Sequence, residues 1–390
     1  MREDATSAAG PSRIRQLNRR AVLDYIRRHG ATPRSGLVHA VDLSPTAVSS
    51  VVAELIEDGL LREAEAGVSD GRMGRPVLPL ELNPDATYTL GMVLRPRADQ
   101  VVVELAWSDY AGRVSVVAES PRIAANDLEV AVTAVRQALS LLEHSVPDSE
   151  RISSLVIGIP GVVVADDIRI APRIKAIEGN RFVQALTQHV SYSLHFQNDV
   201  NLAALAELDR QPRLRSSAFA FLFISLGVGA GIALNGRLWT GRGWAGEVGQ
   251  LRIRKGRGSR RSFGERLAID GLLAEQMQAL GLSPDDLDAL AEAVDAEDRG
   301  ALRVVDRYAE SLSEVIQVMN AVLDLDEVII DFPSEALFQR LLPRVGALIA
   351  DSTLQVKVSA TSVGHTACVT GAALCALSTV LDQVEQRQER

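Results

Sequence analysis

The chain has few of the features that mark secreted, metal-clustered or membrane-spanning proteins. Its 390 residues include only two cysteines, Cys368 and Cys375, which lie in an apolar stretch near the C-terminus and match no metal-binding spacing. Two cysteines exclude a disulfide framework, and no secretory signal precedes the first predicted helix, so we expect a cytoplasmic location. The most apolar stretch, residues 218–234, is interrupted by three glycines and falls short of the roughly 20 apolar residues that cross a membrane. We therefore expect a soluble protein with no membrane partner.

Positive charge is also scarce, because 41 Lys and Arg residues stand against 50 acids and leave a net charge of −9. An acidic balance argues against a nucleic-acid partner, since phosphate binding requires Lys and Arg. The charge is not uniform, however: residues 1–53 contain eight arginines and four acids, whereas residues 83–390 carry the whole acidic excess. Such asymmetry is typical of a basic DNA-binding segment on an acidic body, although an arginine-rich segment is also typical of a solvated helix face.

Three helices are predicted at the N-terminus. Apolar residues recur at helical spacing over residues 14–28, and Gly30 follows as a helix stop. Thr32 and Ser44, each followed by a proline, are predicted N-caps of a second, short helix and of a third helix, which ends at Gly59. Two helices separated by a tight turn indicate a helix-turn-helix motif.

The predicted third helix begins with side chains small enough to approach base edges in a DNA major groove. Its first backbone N–H groups also favour a phosphate. We therefore expect double-stranded operator DNA as a partner. The residues predicted to contact it from this motif are Arg34, Ser44, Thr46, Ala47, Ser49 and Ser50.

A wing is predicted directly after the helices. Short strands at residues 60–63 and 76–82 enclose a polar loop in which Arg72 and Arg75 stand next to glycines. Arginines in such a loop suit insertion into a minor groove. A hairpin with solvated arginines is the alternative, and the neighbouring helix-turn-helix favours DNA contact.

The remainder of the chain has the pattern of an α/β body. At roughly 100–200 residues per domain, the length predicts two or three domains, each able to bury a core. Strands and a helix alternate in the order expected of this class. The predicted strands cover residues 88–94, 101–106, 114–118 and 155–159, and the helix covers 128–142.

Three further motifs carry a family resemblance. They are residues 195–204 (HFQNDVNLAA), 225–231 (SLGVGAG) and 245–250 (AGEVGQ). In their content and order the chain resembles the ROK family, whose members are repressors, open reading frames and sugar kinases. Members with an N-terminal winged helix-turn-helix are transcriptional regulators that respond to sugars or sugar phosphates.

The resemblance implies an α/β fold in which a winged helix-turn-helix precedes a two-lobed, actin-like (ribonuclease-H-like) body. The winged helix-turn-helix is expected at residues 11–82 and the body, a sugar sensor, at 83–390. Lobe one is expected at about 83–195 together with the C-terminal helix, and lobe two at about 196–375.

Two elements that the family's kinases need are missing. Their first strand ends in Asp-x-Gly-x-Thr, whereas Val93 stands at the Asp position and Arg95 at the Gly position here. Phe332 and Pro333 replace the Gly-Gly pair of the adenosine cradle. We therefore expect no ATP and no kinase activity, so the protein is predicted not to be an enzyme.

Residues that match the family's sugar site persist. The resemblance implies effector contacts from Gly161, Asn198, Asp199, Glu247, Gln250 and Glu265. Asp199 stands at the position of the kinase general base, and a carboxylate or amide is suited to hydrogen-bond sugar hydroxyls. Arg173 stands where the family usually has Asn. This difference predicts an altered pocket whose ligand is unusual or absent.

Structural zinc is predicted to be absent. Gln250 stands where the family usually has a zinc-binding His, and the following loop, residues 251–261, contains neither Cys nor His. The six basic residues of that loop suit either an anionic effector or simple solvation. Neither His195 nor His365 has a partner constellation for acid–base chemistry. We expect a packing role for His195, while His365 lies in a glycine-containing entry to the last helix.

The sequence thus predicts a homodimeric or dimer-of-dimers regulator, a repressor of carbohydrate metabolism genes, that binds operator DNA and a sugar or sugar phosphate. Three alternatives stay open. The first is a degenerate kinase, which would phosphorylate a hexose. The second is a ligand-independent DNA-binding protein, whose affinity for DNA no sugar would change. The third is a purely protein-binding role, for which no salt-dependent DNA binding would be observed.

Overall fold

A computed structural model of the chain describes residues 11–64, 78–97, 100–117, 119–120, 123–124, 127–252, 261–353 and 355–386. Within these residues an N-terminal domain precedes a larger body built on two sheets. The N-terminal domain comprises α1 (Pro11–His29), α2 (Arg34–Ala40), α3 (Pro45–Glu57), β1 (Leu61–Glu63) and β2 (Leu80–Leu82). The body comprises β3 (Tyr88–Arg97), β4 (Gln100–Asp109), β5 (Val114–Val117), β6 (Ile123–Ala124), α4 (Leu128–Ser145), β7 (Ile152–Ile159), β8 (Val162–Val164), β9 (Asp167–Ile170), α5 (Asn180–Thr187), β10 (Ser193–Asn198), α6 (Asp199–Arg210), β11 (Ala218–Ile224), β12 (Val228–Leu234), β13 (Arg237–Leu238), α7 (Phe263–Leu267), α8 (Leu272–Ala279), α9 (Leu287–Asp295), α10 (Arg299–Leu323), β14 (Glu327–Asp331), α11 (Glu335–Ala350), β15 (Lys357–Ala360) and α12 (Ala367–Gln386).

The N-terminal helices begin and end largely as their cap residues predict. The Ser44 hydroxyl accepts a hydrogen bond from the backbone N–H of Ala47 at 3.2 Å, so Ser44 is the N-cap of α3. Gly30 and Gly59 adopt positive φ values directly after α1 and α3. This left-handed conformation ends many helices, and glycine adopts it without a steric penalty.

The expected Thr32 cap is wrong. Pro33 is the residue that precedes α2, and it provides no side-chain cap. Thr32 instead pairs through its backbone with Leu80, extending the small sheet of β1 and β2. The Thr-Pro pattern predicts the wrong cap because the Thr32 backbone N–H and C=O form hydrogen bonds with Leu80 of β2, which lies 48 residues later in the chain.

Each lobe of the body contains one mixed sheet. Lobe one has the strand order β10-β7-β3-β4-β5, with β6 beside β4, and lobe two has the order β13-β12-β11-β14-β15. In both lobes an antiparallel hairpin leads into parallel strands, at β3–β4 and β11–β12 respectively. The lobe boundary expected near residue 195 falls inside β10, which pairs with β7 through Asn198.

Helices α6 and α12 fill the space between the two sheets. Helix α12 packs on β3, β4, β7 and α6. A Cβ atom on Gly371 of α12 would lie 1.8 Å from the carbonyl oxygen of Leu202 in α6, so the two helices touch backbone to backbone. Their close packing forms the central part of the body's core.

One segment within the described residues, Gly364–Leu381, is long and apolar enough to cross a membrane by length and composition. It consists of the start of α12 and the turn before it. Half of it is buried inside the protein, and Cys368 and Ala372 have no exposed surface. Its apolar composition is accounted for by its place between the two sheets.

Candidate functional site

A cleft of about 440 Å³ lies between the lobes, where the carboxyl ends of strands from the two sheets face each other. Lobe one supplies the ends of β3, β7 and β10. Lobe two supplies the end of β11, the start of β12 and parts of the chain between β13 and α8. The six residues predicted to contact a sugar all line this cleft: Gly161, Asn198, Asp199, Glu247, Gln250 and Glu265.

A buried arginine lies at the base of the cleft. The Nε and Nη2 atoms of Arg95 donate to the Glu104 carboxylate at 3.0 and 3.1 Å, and its Nη1 atom lies 3.6 Å from Asp199 Oδ2. The guanidinium also stacks on the Phe223 ring, 4.8 Å from the ring centre. Arg95 therefore joins β3, β4, α6 and β11, and its charge is compensated by two carboxylates.

The cleft carboxylates are held in an environment that disfavours their charge. Asp199 is only 4% exposed, and burial raises its pKa to about 6, although the Arg95 charge acts in the opposite direction. Burial and the negative charge of Asp199 also raise the pKa of Glu247. Carboxylates held this way are suited to accept hydrogen bonds from a ligand's hydroxyl groups.

Asn198 has a structural role that its sequence position alone does not reveal. Its Oδ1 atom accepts from the backbone N–H of Asn201 at 2.9 Å, and its Nδ2 atom donates to the carbonyl of Gly161 at 2.9 Å. Asn198 thus caps α6 and fixes the turn after β7. The second N–H of its amide group is left for a ligand.

Glu265 and Gln250 lie at the outer part of the cleft. Glu265 and Ser262 form a capping box at the start of α7, in which the Ser262 N–H donates to the Glu265 carboxylate. These hydrogen bonds lower the pKa of Glu265. Gln250 is exposed at the end of a short 3-10 turn.

Arg173 crosses the cleft mouth. Its Nη2 atom donates to the carbonyl of Leu226 and to the carboxylate of Asp270, both at 2.6 Å. Arg173 follows β9 in lobe one, whereas Leu226 and Asp270 belong to lobe two. The side chain therefore connects the two lobes directly.

Phe332 is part of the lobe-two core. Its ring packs edge-on against Tyr308 and stacks on Phe338, with ring centres 5.9 Å apart in both pairs. The residue after β14, which the resemblance aligns with the adenosine cradle, is thereby held in apolar packing.

The described residues contain no group of three or more His, Cys, Asp or Glu side chains arranged to hold a metal ion. Residues 253–260 of the basic loop lie outside the described residues. His195 lies 3.2 Å from the Asp166 carboxylate, which raises the pKa of the imidazole. This pair fastens the hairpin of β8 and β9 to β10.

The second candidate site is the surface of α2 and α3. The two helices change direction by 119° across their short turn, within the range of helix-turn-helix motifs. The side chains of Ser44, Thr46, Ser49 and Ser50 are exposed along the start of α3, and Ala47 is half-buried. The wing residues Arg72 and Arg75 lie outside the described residues.

Several N-terminal arginines already have acidic partners. Arg34 Nη1 lies 3.0 Å from the Glu63 carboxylate, and Arg15 lies 2.8 Å from Glu54. The positive charge that the sequence places at the front of the chain is therefore partly neutralised within the domain. Acids on α3 and β1, which follow residue 53, provide that neutralisation.

The residues not predicted as site residues include Glu104 and Phe223, which contact Arg95, and Asp270, which contacts Arg173. The sequence does indicate a buried role for Glu104, because an acid inside the apolar strand sequence VVVEL needs a buried partner. The sequence does not indicate a role for Asp270, because Asp270 and its partner Arg173 are 97 positions apart in the chain.

Known proteins share the sequence pattern of this chain. The model of the family described as "ROK family" matches residues 116–379. The xylose repressor of Caldicellulosiruptor bescii is 28% identical over 247 residues, which cover 62% of this chain and 59% of that protein. The DNA-binding transcriptional repressor Mlc of Escherichia coli strain K12 is 22% identical over 386 residues, 93% of each chain. The chain therefore spans about three fifths of the xylose repressor and nearly all of Mlc.

Solved structures show the same fold. A ROK family transcriptional regulator described as a homolog of E. coli MLC superimposes with a TM-score of 0.76 at 18% identity, over 96% of this chain and 98% of that one. A ROK family glucokinase from Streptomyces griseus, in complex with glucose and AMPPNP, gives a TM-score of 0.60 at 18% identity, over 75% and 99%. The predicted fold, an N-terminal helix-turn-helix domain before a two-lobed actin-like body, is confirmed.

Proposed function

The chain belongs to the ROK family, and on that premise we propose that it is a DNA-binding transcriptional regulator, a repressor whose operator affinity responds to a small sugar bound between the lobes. The observation that carries this proposal is the 119° pair of α2 and α3, with exposed small polar residues at the start of α3, on a body that contains a cleft. Relatives named as xylose repressor and Mlc support it. We also propose a cytoplasmic location and target genes of carbohydrate metabolism.

In this proposal α3 enters the major groove with its N-terminal end. Ser49 and Ser50 are exposed there and reach base edges or phosphates without the bulk that would hold the helix away. Arg34 exchanges Glu63 for a phosphate at small cost, because an exposed ion pair contributes only about 0–1 kcal/mol. A homodimer presents two such helices to a two-fold symmetric operator.

The proposed effector site is the cleft. Asp199 and Glu247 accept hydrogen bonds from sugar hydroxyls, and the second Asn198 N–H donates one. A ligand that contacts both lobes binds some lobe arrangements more tightly than others and so favours them. Only this difference in the ligand's affinity for the arrangements can alter DNA binding.

Phosphoryl transfer is disfavoured by the charges at the cleft base. A kinase of this fold needs Asp199 free to accept a hydroxyl proton and a glycine turn open to phosphate. In this chain Arg95 stands at the glycine position and lies 3.6 Å from Asp199. We therefore propose a regulator that does not use ATP. We also propose that it uses no zinc, because Gln250 stands at the position of the family's zinc-binding His.

A second candidate function is a DNA-binding regulator without a sugar effector. It is favoured by Arg173, which connects the lobes directly through Leu226 and Asp270. In that case the cleft is closed by the protein's own side chains, and operator affinity is the same with or without sugar.

Selection from a random duplex library tests the DNA-binding part. The full-length chain is incubated with the library at about 0.15 M salt, and bound duplexes are amplified over successive rounds. We expect enrichment of one two-fold symmetric sequence, with an affinity that falls steeply as salt rises. The absence of any enriched sequence, or an affinity insensitive to salt, contradicts the proposal.

A further inference from the structure

The cleft between the lobes carries more negative than positive charge. Four of the side chains that line it are acidic: Asp199, Glu247, Glu265 and Asp270. Within the described part of the chain, the cationic side chains that line it are those of Arg95 and Arg173, and no lysine or histidine joins them. Which ligands the cleft accepts therefore depends on whether these two arginines are free to bind an anion.

The Arg95 guanidinium is already paired. It donates to the Glu104 carboxylate at 3.0 and 3.1 Å and lies 3.6 Å from the Asp199 carboxylate, so two negative charges compensate one positive charge. The three residues are 5%, 8% and 4% exposed respectively. An anionic ligand that took Arg95 would leave a buried carboxylate without its cation, which is strongly unfavourable.

Arg173 is paired as well, although less firmly. Its Nη2 atom donates at 2.6 Å both to the Asp270 carboxylate and to the Leu226 carbonyl. The side chains of Arg173 and Asp270 are 42% and 38% exposed, so water weakens their attraction. While Asp270 is present, the positive charge at the cleft mouth is compensated and offers little to an anion.

Glu247 is the acid of the cleft whose charge no cation compensates. It is half-buried, and its side chain forms no cap on the short 3-10 turn that follows it. Within the residues that the structure describes, no hydrogen bond or ion pair engages its carboxylate. Glu265, by contrast, is held in its capping box with Ser262. Burial and the negative charge of Asp199 raise the pKa of Glu247, as expected of a carboxylate without a cationic neighbour.

We propose that the cleft selects its ligand by charge: the effector is an amino sugar whose protonated amine pairs with the Glu247 carboxylate, and phosphorylated sugars are excluded. An ammonium group has three donors and no acceptor, so it complements a site in which acceptors are in excess. Its hydrogen bond to a carboxylate is charge-assisted and therefore stronger than that of a hydroxyl at the same ring position. The inference rests on the proposed function, because it names the effector class of the same cleft.

Isothermal titration calorimetry of the full-length chain, without DNA, tests this selectivity. Each amino sugar is compared with its neutral counterpart: D-glucosamine with D-glucose, D-galactosamine with D-galactose, and D-mannosamine with D-mannose. The titrations are made at about pH 7, below the ordinary pKa of such an amine. For at least one pair we expect the amino sugar to bind at least about fivefold more tightly. We expect D-glucose 6-phosphate to bind more weakly than D-glucose.

Two variants assign the selectivity to charge. Glu247→Gln keeps the shape but removes the charge, so both sugars of a pair should bind weakly and within about twofold of each other. Asp270→Asn leaves Arg173 without its carboxylate, so the affinity for D-glucose 6-phosphate relative to D-glucose should rise at least about fivefold. Asp167→Asn is the matched control for the second variant. It frees Arg169 in the hairpin of β8 and β9, where neither residue lines the cleft, and should leave both ratios unchanged.

Several results would overturn the proposal. They are equal affinities within every pair, no binding of any sugar of the panel, tighter binding of D-glucose 6-phosphate than of D-glucose by the parent chain, and a preference that persists in Glu247→Gln. An unchanged ratio in Asp270→Asn overturns it as well, and this variant keeps the test decisive if Glu247→Gln does not fold. Equal affinities within the pairs leave a sugar-responsive regulator standing. The absence of an enriched duplex in the library selection overturns the regulator but not the order of sugar affinities.

Discussion

The Nη1 atom of Arg95 lies 3.6 Å from Oδ2 of Asp199 at the base of the cleft, where both side chains are largely buried. The family resemblance aligns this arginine with the glycine of a phosphate-binding turn, and this aspartate with the general base of the family's kinases. The position that would serve catalysis in a kinase is here part of a buried ion cluster with Glu104.

Loss of the Arg95 charge should destabilise the body strongly. Arg95→Met leaves two buried carboxylates, Glu104 and Asp199, without their cation, and removing one partner of a buried pair costs about 3–5 kcal/mol. Urea unfolding measures this loss. Arg344→Met is the matched control, because Arg344 pairs with Asp306 at the surface and should contribute no more than about 1 kcal/mol. Equal losses in the two variants contradict the prediction.

The raised pKa of Asp199 predicts a specific pH dependence of stability. Its pKa is about 6 in the folded chain, against about 3.9 for an unfolded aspartate, so the folded state binds the proton more tightly. Stability contributed by this group therefore increases as pH falls from about 7 to about 4. The difference in unfolding free energy between the parent chain and Asp199→Asn should shift in favour of the parent over this range. A difference that is constant with pH contradicts the assignment.

The contact of Arg173 with Asp270 should hold the lobes together. In Arg173→Ala we expect faster hydrogen exchange in residues 224–229, because the carbonyl of Leu226 loses its donor from lobe one. Arg169→Ala is the control, since Arg169 pairs with Asp167 inside its own hairpin and does not cross the cleft. Unchanged exchange in Arg173→Ala would show that the lobes do not depend on this link.

Ser44 and Ser49 should give opposite results when each is replaced by alanine. Ser44→Ala removes the N-cap of α3 and should cost about 1 kcal/mol of stability. Ser49 is exposed on the same helix, so Ser49→Ala should change stability by less than about 0.5 kcal/mol. It should nevertheless weaken binding to the selected duplex, as measured by fluorescence anisotropy. Stability loss in Ser49→Ala, or unchanged duplex affinity, counts against a DNA-facing role.

Local signals in the sequence predicted much of the fold. Ser44 followed by Pro45, and glycines after α1 and α3, fixed the helix ends because caps and stops depend on neighbouring residues only. Thr32 was misassigned because a strand from β2 engages its backbone. The lobe boundary expected near residue 195 lies within β10, whose pairing with β7 continues through Asn198.

Long-range contacts limited what could be predicted of the site. The motif residues Asn198, Asp199 and Glu247 lie together in the cleft as the family resemblance implies. The internal hydrogen bonds of Asn198 and the link from Arg173 to Asp270 depend on how separate segments meet in three dimensions. No local pattern encodes such distances.

The central claim is that a sugar bound between the lobes changes the affinity for DNA. The most direct measurement is fluorescence anisotropy of the selected duplex with the full-length chain, with and without D-xylose, D-glucose or D-glucose 6-phosphate. We predict that one of these sugars changes duplex affinity by about tenfold, and that Glu247→Gln binds the duplex as tightly as the parent chain but loses this response. A duplex affinity that none of the sugars changes, or an undiminished response in Glu247→Gln, would contradict the account.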